Sequence, residues 1–89
     1  MAKIDIYYCS QCNWMLRAAW LMQELLQTFQ GDIEVISLHP DTGGRFEIFC
    51  NGITIWNRVA DGGFPDAKTL KRKVRDIICP DEDLGHIDR

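Results

Sequence analysis

A strand pattern that runs directly into a long helix pattern constrains this fold more than any other feature of the sequence. Residues 3–8 place Ile4, Ile6 and Tyr8 on one face, as a half-buried strand does. Residues 10–30 then repeat apolar side chains at helical spacing, and residues 33–38 form a second strand pattern. A strand, a helix and a strand in this order predict two parallel strands joined by a right-handed crossover.

The second half of the chain predicts a hairpin followed by a helix. Strand patterns cover residues 45–50 and 53–59, and Asn51-Gly52 between them is typical of a type I′ turn, whose two central residues need positive φ. Residues 66–78 carry an apolar stripe at helical spacing, and Asp66 suits the N-terminal end. The sequence thus predicts an α/β (α+β by some schemes), thioredoxin-like fold. Its order is β-α-β-β-β-α, with a four-stranded mixed sheet (order 2-1-3-4) and two helices.

Length and charge indicate one small domain. The chain has 89 residues and a formal net charge of −3, with the acidic excess in residues 80–89. We expect a single thioredoxin-like domain over residues 1–79 and an acidic C-terminal tail over residues 80–89. The first residues show no basic segment leading into an apolar run, and no apolar stretch reaches the length of a membrane span. We therefore expect a cytoplasmic protein that binds neither membranes nor, lacking a broad basic patch, nucleic acid.

One set of apolar residues does not fit a sheet with one wet face. If the strands were regular, five side chains would point away from the helices: Tyr7, Ile36, Leu38, Phe49 and Trp56. A large exposed apolar patch usually marks an interaction surface, so this face predicts a homo-oligomer or partner docking. The alternative is that the strand registers differ from the regular ones.

The sequence Tyr8-Cys9-Ser10-Gln11-Cys12 places two cysteines where the first strand gives way to the helix. Unpaired backbone N–H groups and the helix dipole stabilise an anion there, and the thiolate is the reactive form of cysteine. One cysteine can attack a disulfide and the other can resolve the mixed disulfide. Cys9 and Cys12 are therefore the candidate catalytic pair, and position at the helix tip favours Cys9 as the more exposed, attacking residue.

A half zinc site is the main alternative for the cysteine pair. Structural zinc needs four ligands, and the other candidates, including Cys50 and His39, are isolated in the sequence. Cys50 lies on the predicted core face of its strand, as free cysteines commonly do. We expect no metal and no bound cofactor.

Several segments together resemble the selenoprotein W-like (Rdx) family. They are Tyr8-Cys9-x-x-Cys12, the Gly-Arg-Phe-Glu-Ile sequence at 44–48, the Asn51-Gly52 turn and the Gly-Gly-Phe-Pro sequence at 62–65. The resemblance covers nearly the whole chain and is that of a bacterial-type member with cysteine in place of selenocysteine. It implies a thioredoxin-like fold and a thiol-dependent redox role, with glutathione or protein thiols as partners. It also matches selenocysteine to Cys12, which opposes the helix-tip argument for Cys9.

The chain departs from thioredoxins in the loop expected opposite the cysteines. Thioredoxins carry a cis-proline there, whereas this loop reads Thr42-Gly43-Gly44 with no proline immediately before Phe46. The glycines would let the backbone approach the sulfurs closely, or they simply serve a turn. With Ser10 and Gln11 between the cysteines, Thr42, Gly43 and Gly44 are the candidate substrate-binding residues.

The favoured function is thiol–disulfide redox chemistry through reversible disulfide formation or exchange, as in an oxidoreductase. A redox-sensing binding module uses the same pair without turnover, and a small structural subunit would use the apolar sheet face instead. The sequence leaves open whether the chain is an enzyme.

Overall fold

The computed structural model describes residues 1–78 as four strands and three helices. Cys79 and the predicted acidic tail lie outside the described residues. The elements are β1 (Ala2–Cys9), α1 (Met15–Thr28), β2 (Ile33–Asp41), β3 (Phe46–Cys50), β4 (Ile53–Asn57), α2 (Arg58–Asp61) and α3 (Ala67–Ile78). No helix within residues 1–78 is both long and apolar enough to cross a bilayer.

The four strands form one mixed sheet in the order β2-β1-β3-β4, which confirms the predicted topology. β1 and β2 are parallel, while β3 runs antiparallel to both β1 and β4. Asn51 and Gly52 have φ of 52° and 79°, as the predicted hairpin turn requires. The arrangement is thioredoxin-like, with the short helix α2 added to the two predicted helices.

The core lies between the sheet and the helices α1 and α3. The sheet contributes Ile4, Ile6 and Ile48, each at most 1% exposed, and the helices contribute Leu21 and Leu70, both fully buried. Removing a buried side chain of this kind to alanine costs about 2–5 kcal/mol. A compact core therefore holds β1 and β3, the strands closest to the cysteine pair, in fixed positions.

Helix α1 begins later than predicted, at Met15 rather than near residue 10. Residues 10–13 form a turn instead, and Asn13 adopts a left-handed φ of 61°. The apolar residues of α1 also extend beyond its buried stripe: Leu16 is 74% exposed and Trp20 is 45% exposed. The sequence pattern correctly predicted a helix in this segment, but it did not predict where the helix begins or that some of its apolar side chains are exposed.

Two β-bulges overturn the prediction of an apolar outer sheet face. In β2, Ala2 pairs with Ile33 but Lys3 pairs with Val35, so Glu34 is the extra residue. Because side chains alternate between the faces of a sheet, the extra residue places Ile36 on the core face. Leu38 follows it onto the same face and also packs against the core.

The bulge in β4 acts in the same way. Ile48 pairs with Trp56 and Phe49 pairs with Thr54, so Ile55 is the extra residue. Trp56 therefore lies on the core face, where its Nε1–H donates to the carbonyl oxygen of Gly63 at 2.9 Å. The outward assignment of Ile36, Leu38 and Trp56 was wrong, and self-association through this face stays a prediction.

Tyr7 and Phe49 do lie on the outer face, and polar side chains share it with them. The Tyr7 and Phe49 rings meet edge to face with their centroids 5.7 Å apart. His39 stacks on Tyr7 at 4.2 Å, and the Arg45 guanidinium carbon lies 4.0 Å from the centroid of the Tyr7 ring. The His39 Nε2 atom is in turn 2.8 Å from the carboxylate of Asp5. The outer face is thus a mixed aromatic and polar surface.

Candidate functional site

Cys9 and Cys12 are in direct contact at the end of β1. Cys9 is the last residue of the strand, and Cys12 lies in the turn that follows it. Both are free thiols, and the Cys12 thiol donates a hydrogen bond to the Cys9 sulfur over 2.6 Å. The turn between strand and helix therefore holds the two sulfurs where they can exchange a bond with each other.

The two cysteines differ in their access to solvent. Cys9 is 1% exposed, whereas Cys12 is exposed. The prediction that Cys9 is the more exposed member was wrong, because it assumed that the helix begins at residue 10. An approaching molecule meets the sulfur of Cys12 first.

The pKa values of the two cysteines are shifted in opposite directions. The hydrogen bond from Cys12 lowers the pKa of Cys9 against the opposing effect of burial. Backbone N–H groups of Gly44, Cys12 and Gln11 lower the pKa of Cys9 further. The pKa of Cys12 is raised, first by that same hydrogen bond to Cys9 and then by burial and by the charge of Cys9. Loss of the first proton from the pair is thus favoured, and loss of the second is disfavoured.

The lowered pKa of Cys9 comes first from the Cys12 thiol and then from backbone donors beside the sulfurs, rather than from the tip of α1. The N-cap position of α1 is Trp14, which makes no side-chain cap, and the cysteines precede it. The first turn of the helix therefore lies beyond the pair, whereas Gln11, Cys12 and Gly44 present N–H groups to Cys9. Charge-assisted hydrogen bonds of this kind favour the anion directly.

The loop between β2 and β3 brings Gly44 to the sulfurs. Gly43 and Gly44 have φ of 70° and 73°, a conformation that favours glycine. The Gly44 N–H lowers the pKa of both Cys9 and Cys12. Among residues 1–78 no peptide bond is cis, and the loop approaches the sulfurs through the backbone of Gly44.

The other candidate substrate-binding residues lie in the turn after β1 and in the loop between β2 and β3. The N–H and the hydroxyl of Ser10 both donate to the carbonyl oxygen of Asp41, at 2.9 and 3.2 Å, which ties the ends of β1 and β2 together. Gln11 is exposed in the turn between the cysteines. The N–H of Thr42 donates to the Asp41 carboxylate, whereas Gly43 lines a groove beside Gly44.

Arg58 belongs to the site although no sequence motif marked it. Its Nε–H donates to the carbonyl oxygen of Gly44 at 3.1 Å, and its positive charge lowers the pKa of Cys12 in part. Its guanidinium carbon lies 5.1 Å from the centroid of the Trp14 ring. The prediction of a strand through residue 59 obscured this placement, because the chain leaves the sheet at Asn57 and enters α2.

A signal for α2 was present in the sequence. The Asn57 side chain accepts hydrogen bonds from the N–H groups of Val59 and Ala60, both at 3.0 Å. The Asp61 carboxylate accepts the N–H of Asn57 at 2.8 Å in return. Asparagine is a preferred N-cap, and an acidic residue one turn later often completes such a reciprocal pair. This cap fixes Arg58, the first residue of α2, beside the cysteine pair.

An aromatic cluster supports the turn that carries Cys12. Trp14 packs edge to face against Phe46 and Phe64, with ring centroids 6.3 and 4.8 Å away. Phe46 is buried in the core, so the cluster connects the turn to the sheet. Within residues 1–78, the structure shows no group of three or more metal-ligating side chains arranged around a common point.

Comparison with known proteins identifies the family. The family model described as Rdx matches residues 3–76. The chain belongs to the Rdx family. No curated protein sequence matches the chain significantly.

Two solved structures of bacterial proteins are similar to this Rdx member over most of their length. A selenoprotein W-related protein from Vibrio cholerae is 70% identical, with a TM-score of 0.86, and the match covers 86% of this chain and 96% of the other. A protein from Bordetella parapertussis is 56% identical, with a TM-score of 0.83, and the match covers 84% of this chain and 95% of the other. Membership of the selenoprotein W-like group, proposed from the motifs, is confirmed, and it suggests a redox-related role.

Proposed function

We propose that this Rdx member is a thiol–disulfide redox protein in which Cys9 and Cys12 form and break a disulfide reversibly. The proposed counterpart is glutathione or a protein thiol, and the proposed location is the cytoplasm, whose reducing conditions maintain free thiols. One observation carries the proposal. The sulfurs of two free cysteines lie 2.6 Å apart, and the hydrogen bond between them lowers the pKa of Cys9.

The exposure of Cys12 supports its role as the residue that meets the substrate. In the reducing direction, the Cys12 thiolate attacks one sulfur of a substrate disulfide, which forms a mixed disulfide and releases the first substrate thiol. Cys9 then attacks the Cys12 sulfur and releases the second substrate thiol. The substrate gains two electrons and two protons, and the protein pair becomes a disulfide.

The protonation of the pair suits this order of events. The lowered pKa of Cys9 favours loss of a first proton from the pair, and the hydrogen bond between the sulfurs lets the resulting charge pass to Cys12 when a substrate approaches. After the first attack Cys12 no longer bears a thiol, and Cys9 is the buried nucleophile already in contact with it. The oxidising direction uses the same steps in reverse.

A glutathione redox titration tests the proposal. The protein is equilibrated over a range of ratios of reduced to oxidised glutathione, the free thiols are alkylated, and Cys9 and Cys12 are read by mass spectrometry. We expect a reversible two-electron transition in the wild type, and stable mixed disulfides in Cys9→Ser but not in Cys12→Ser. Cys50→Ser is the matched control, because Cys50 is fully buried in the core and should leave the transition unchanged.

Two outcomes would change the assignment. A pair that stays reduced under all but harsh oxidation contradicts the redox proposal. A reversible transition without turnover of any disulfide substrate assigns the pair instead to a redox-sensing binding module.

A further inference from the structure

A groove of about 450 Å³ is lined by the β2–β3 loop, the start of β3 and helix α2. Gly44 and Arg58 both line it. Gly44 also presents its backbone N–H to Cys9 and Cys12, and its carbonyl oxygen accepts the Nε–H of Arg58. The groove therefore meets the cysteine site at Gly44, and a molecule in the groove would contact the residue whose N–H reaches the sulfurs.

The groove contains two arginines, and Arg45 is already neutralised. Its Nη1 lies 2.9 Å from the carboxylate of Asp41, and its Nε lies 2.8 Å from the carboxylate of Glu47. Two carboxylates balance this guanidinium, which also stacks on Tyr7. Arg45 therefore stabilises the strand ends, and its two carboxylate partners weaken its attraction for an anionic ligand.

Arg58 differs, because no carboxylate within residues 1–78 pairs with it. Its contacts there are the carbonyl oxygen of Gly44 and the face of the Trp14 ring. A carbonyl and a ring hold a guanidinium in place without cancelling its charge. The side chain is half-buried, so its charge is less screened than that of an exposed arginine. The capped start of α2 fixes its position further.

We propose that Arg58 binds a negatively charged group of the substrate and directs the adjacent disulfide to Cys12, so that the site prefers anionic disulfides. This inference rests on the proposed redox function and names the substrate class of the same site. A guanidinium pairs with a carboxylate through two parallel N–H bonds, which fixes direction as well as distance. The reaction remains the exchange described above: the anionic disulfide is reduced to two thiols, and the Cys9–Cys12 dithiol is oxidised to a disulfide.

Three small symmetric disulfides that differ in charge test the inference. They are dithiodipropionate, which is anionic, hydroxyethyl disulfide, which is neutral, and cystamine, which is cationic. The rate of oxidation of the reduced protein is measured with each, for the wild type and for Arg58→Gln and Arg58→Lys. Because the disulfides differ in intrinsic reactivity, the quantity compared is the ratio of variant to wild-type rate for each disulfide.

Arg17→Gln is the matched control. Arg17 also stacks on a ring of the aromatic cluster, with its guanidinium carbon 4.1 Å from the centroid of Phe64, but it does not line the groove. Its replacement should leave all three ratios close to one. The control separates binding in the groove from the general loss of a positive charge near the site.

Arg58→Gln should slow the reaction with dithiodipropionate about ten-fold more than the reaction with hydroxyethyl disulfide, the loss expected for one partly buried ion pair. Arg58→Lys should retain most of the preference, and added salt should weaken it in the wild type. An equal fall with all three disulfides would overturn the inference, because Arg58 would then act only on the cysteines. Failure of the wild type to react even with hydroxyethyl disulfide would contradict the proposed redox function itself.

Discussion

Cys12 donates its thiol hydrogen to Cys9 across 2.6 Å, and of these two residues only Cys12 is exposed to solvent. The pKa of the buried Cys9 is lowered and the pKa of the exposed Cys12 is raised, so Cys9 is the more acidic of the two. Burial limits the access of oxidants to Cys9, and its contact with Cys12 leaves it in place to resolve a mixed disulfide.

Iodoacetamide should modify Cys12 before Cys9 and Cys50 in the native protein. Cys9 is 1% exposed and Cys50 is fully buried, so both need local opening before a reagent can reach them. Burial also raises the pKa of Cys50, which makes it the slowest of the three. Peptide mapping at successive times gives the order, and earlier modification of Cys9 would contradict the role assigned to Cys12.

Replacing Cys12 should raise the pKa of Cys9, to an extent that depends on the replacement. Cys12→Ala removes the hydrogen bond that is the largest cause of the lowered pKa and leaves burial unopposed by it. Cys12→Ser keeps an O–H donor, so its effect should be smaller. Thiolate absorbance at 240 nm, followed against pH, measures both variants on a background in which Cys50 and Cys79 are replaced by serine, and equal pKa values for the two would contradict this account.

The same shift predicts a pH dependence of stability. Because the pKa of Cys9 is lower in the folded protein, its thiolate contributes stability above the unfolded pKa of about 8.5, and this contribution disappears as the pH falls through the folded pKa. The difference in unfolding free energy between wild type and Cys12→Ala should therefore be larger at pH 9 than at pH 5. Urea denaturation at the two pH values measures it, and a difference independent of pH would exclude the linkage.

Gly44→Ala and Gly43→Ala should lower the free energy of unfolding by similar amounts but differ in their effect on the pKa of Cys9. Both glycines have positive φ, so either alanine costs about 1–2 kcal/mol of backbone strain. A Cβ at Gly43 meets no atom within 4 Å, whereas a Cβ at Gly44 lies 3.4 Å from Nη2 of Arg58. Only Gly44→Ala should raise the pKa of Cys9. Thiolate titration and urea denaturation of both variants separate the two effects, and a matching pKa rise in Gly43→Ala would argue for a general loop effect.

The ion pair between α1 and α3 should respond asymmetrically to mutation. Lys71 Nζ lies 2.9 Å from the Glu24 carboxylate, and the Lys71 side chain is 5% exposed against 32% for Glu24. Glu24→Gln leaves a buried ammonium without a counter-charge and should cost roughly 3 kcal/mol, whereas Lys71→Met keeps the packing, exposes Glu24 to water and should cost less than about 1 kcal/mol. Urea denaturation measures both, and equal losses would show that the charge of Lys71 is hydrated.

The topology was predictable because local signals agree with one another. The strand–helix–strand pattern allows one handedness of crossover, and Asn51-Gly52 fixes the hairpin between β3 and β4. The Asp66 carboxylate accepts the N–H of Thr69 at 2.6 Å, as its position before the last helix indicated. Each of these features depends on a few adjacent residues, so one sequence suffices to find them.

The face of the outer strands was not predictable, since it depends on single extra residues. Glu34 and Ile55 are the extra residues at the two register shifts, and each shift is visible only in the pairing with the neighbouring strand. No glycine or proline at either position marks it in the sequence. The site shares this limit: Cys9 and Cys12 could be found from their spacing, whereas Arg58 reaches Gly44 only after α2 turns away from the sheet. Contacts between distant segments leave little trace in either segment alone.

The bulge at Glu34 also decides how the chain tolerates a change of length. Glu34 is exposed, and its recorded partner is Lys3 at 3.9 Å, so a substitution there should matter little. A deletion at the same position should also be tolerated, because it removes the extra residue and leaves Ile33, Ile36 and Leu38 on the core face of a regular ladder. A deletion of Ser37, beyond the bulge, would instead exchange the inside and outside of the rest of β2, and Leu38 would then face water. In a deletion scan, Glu34 should therefore be the tolerant position of β2.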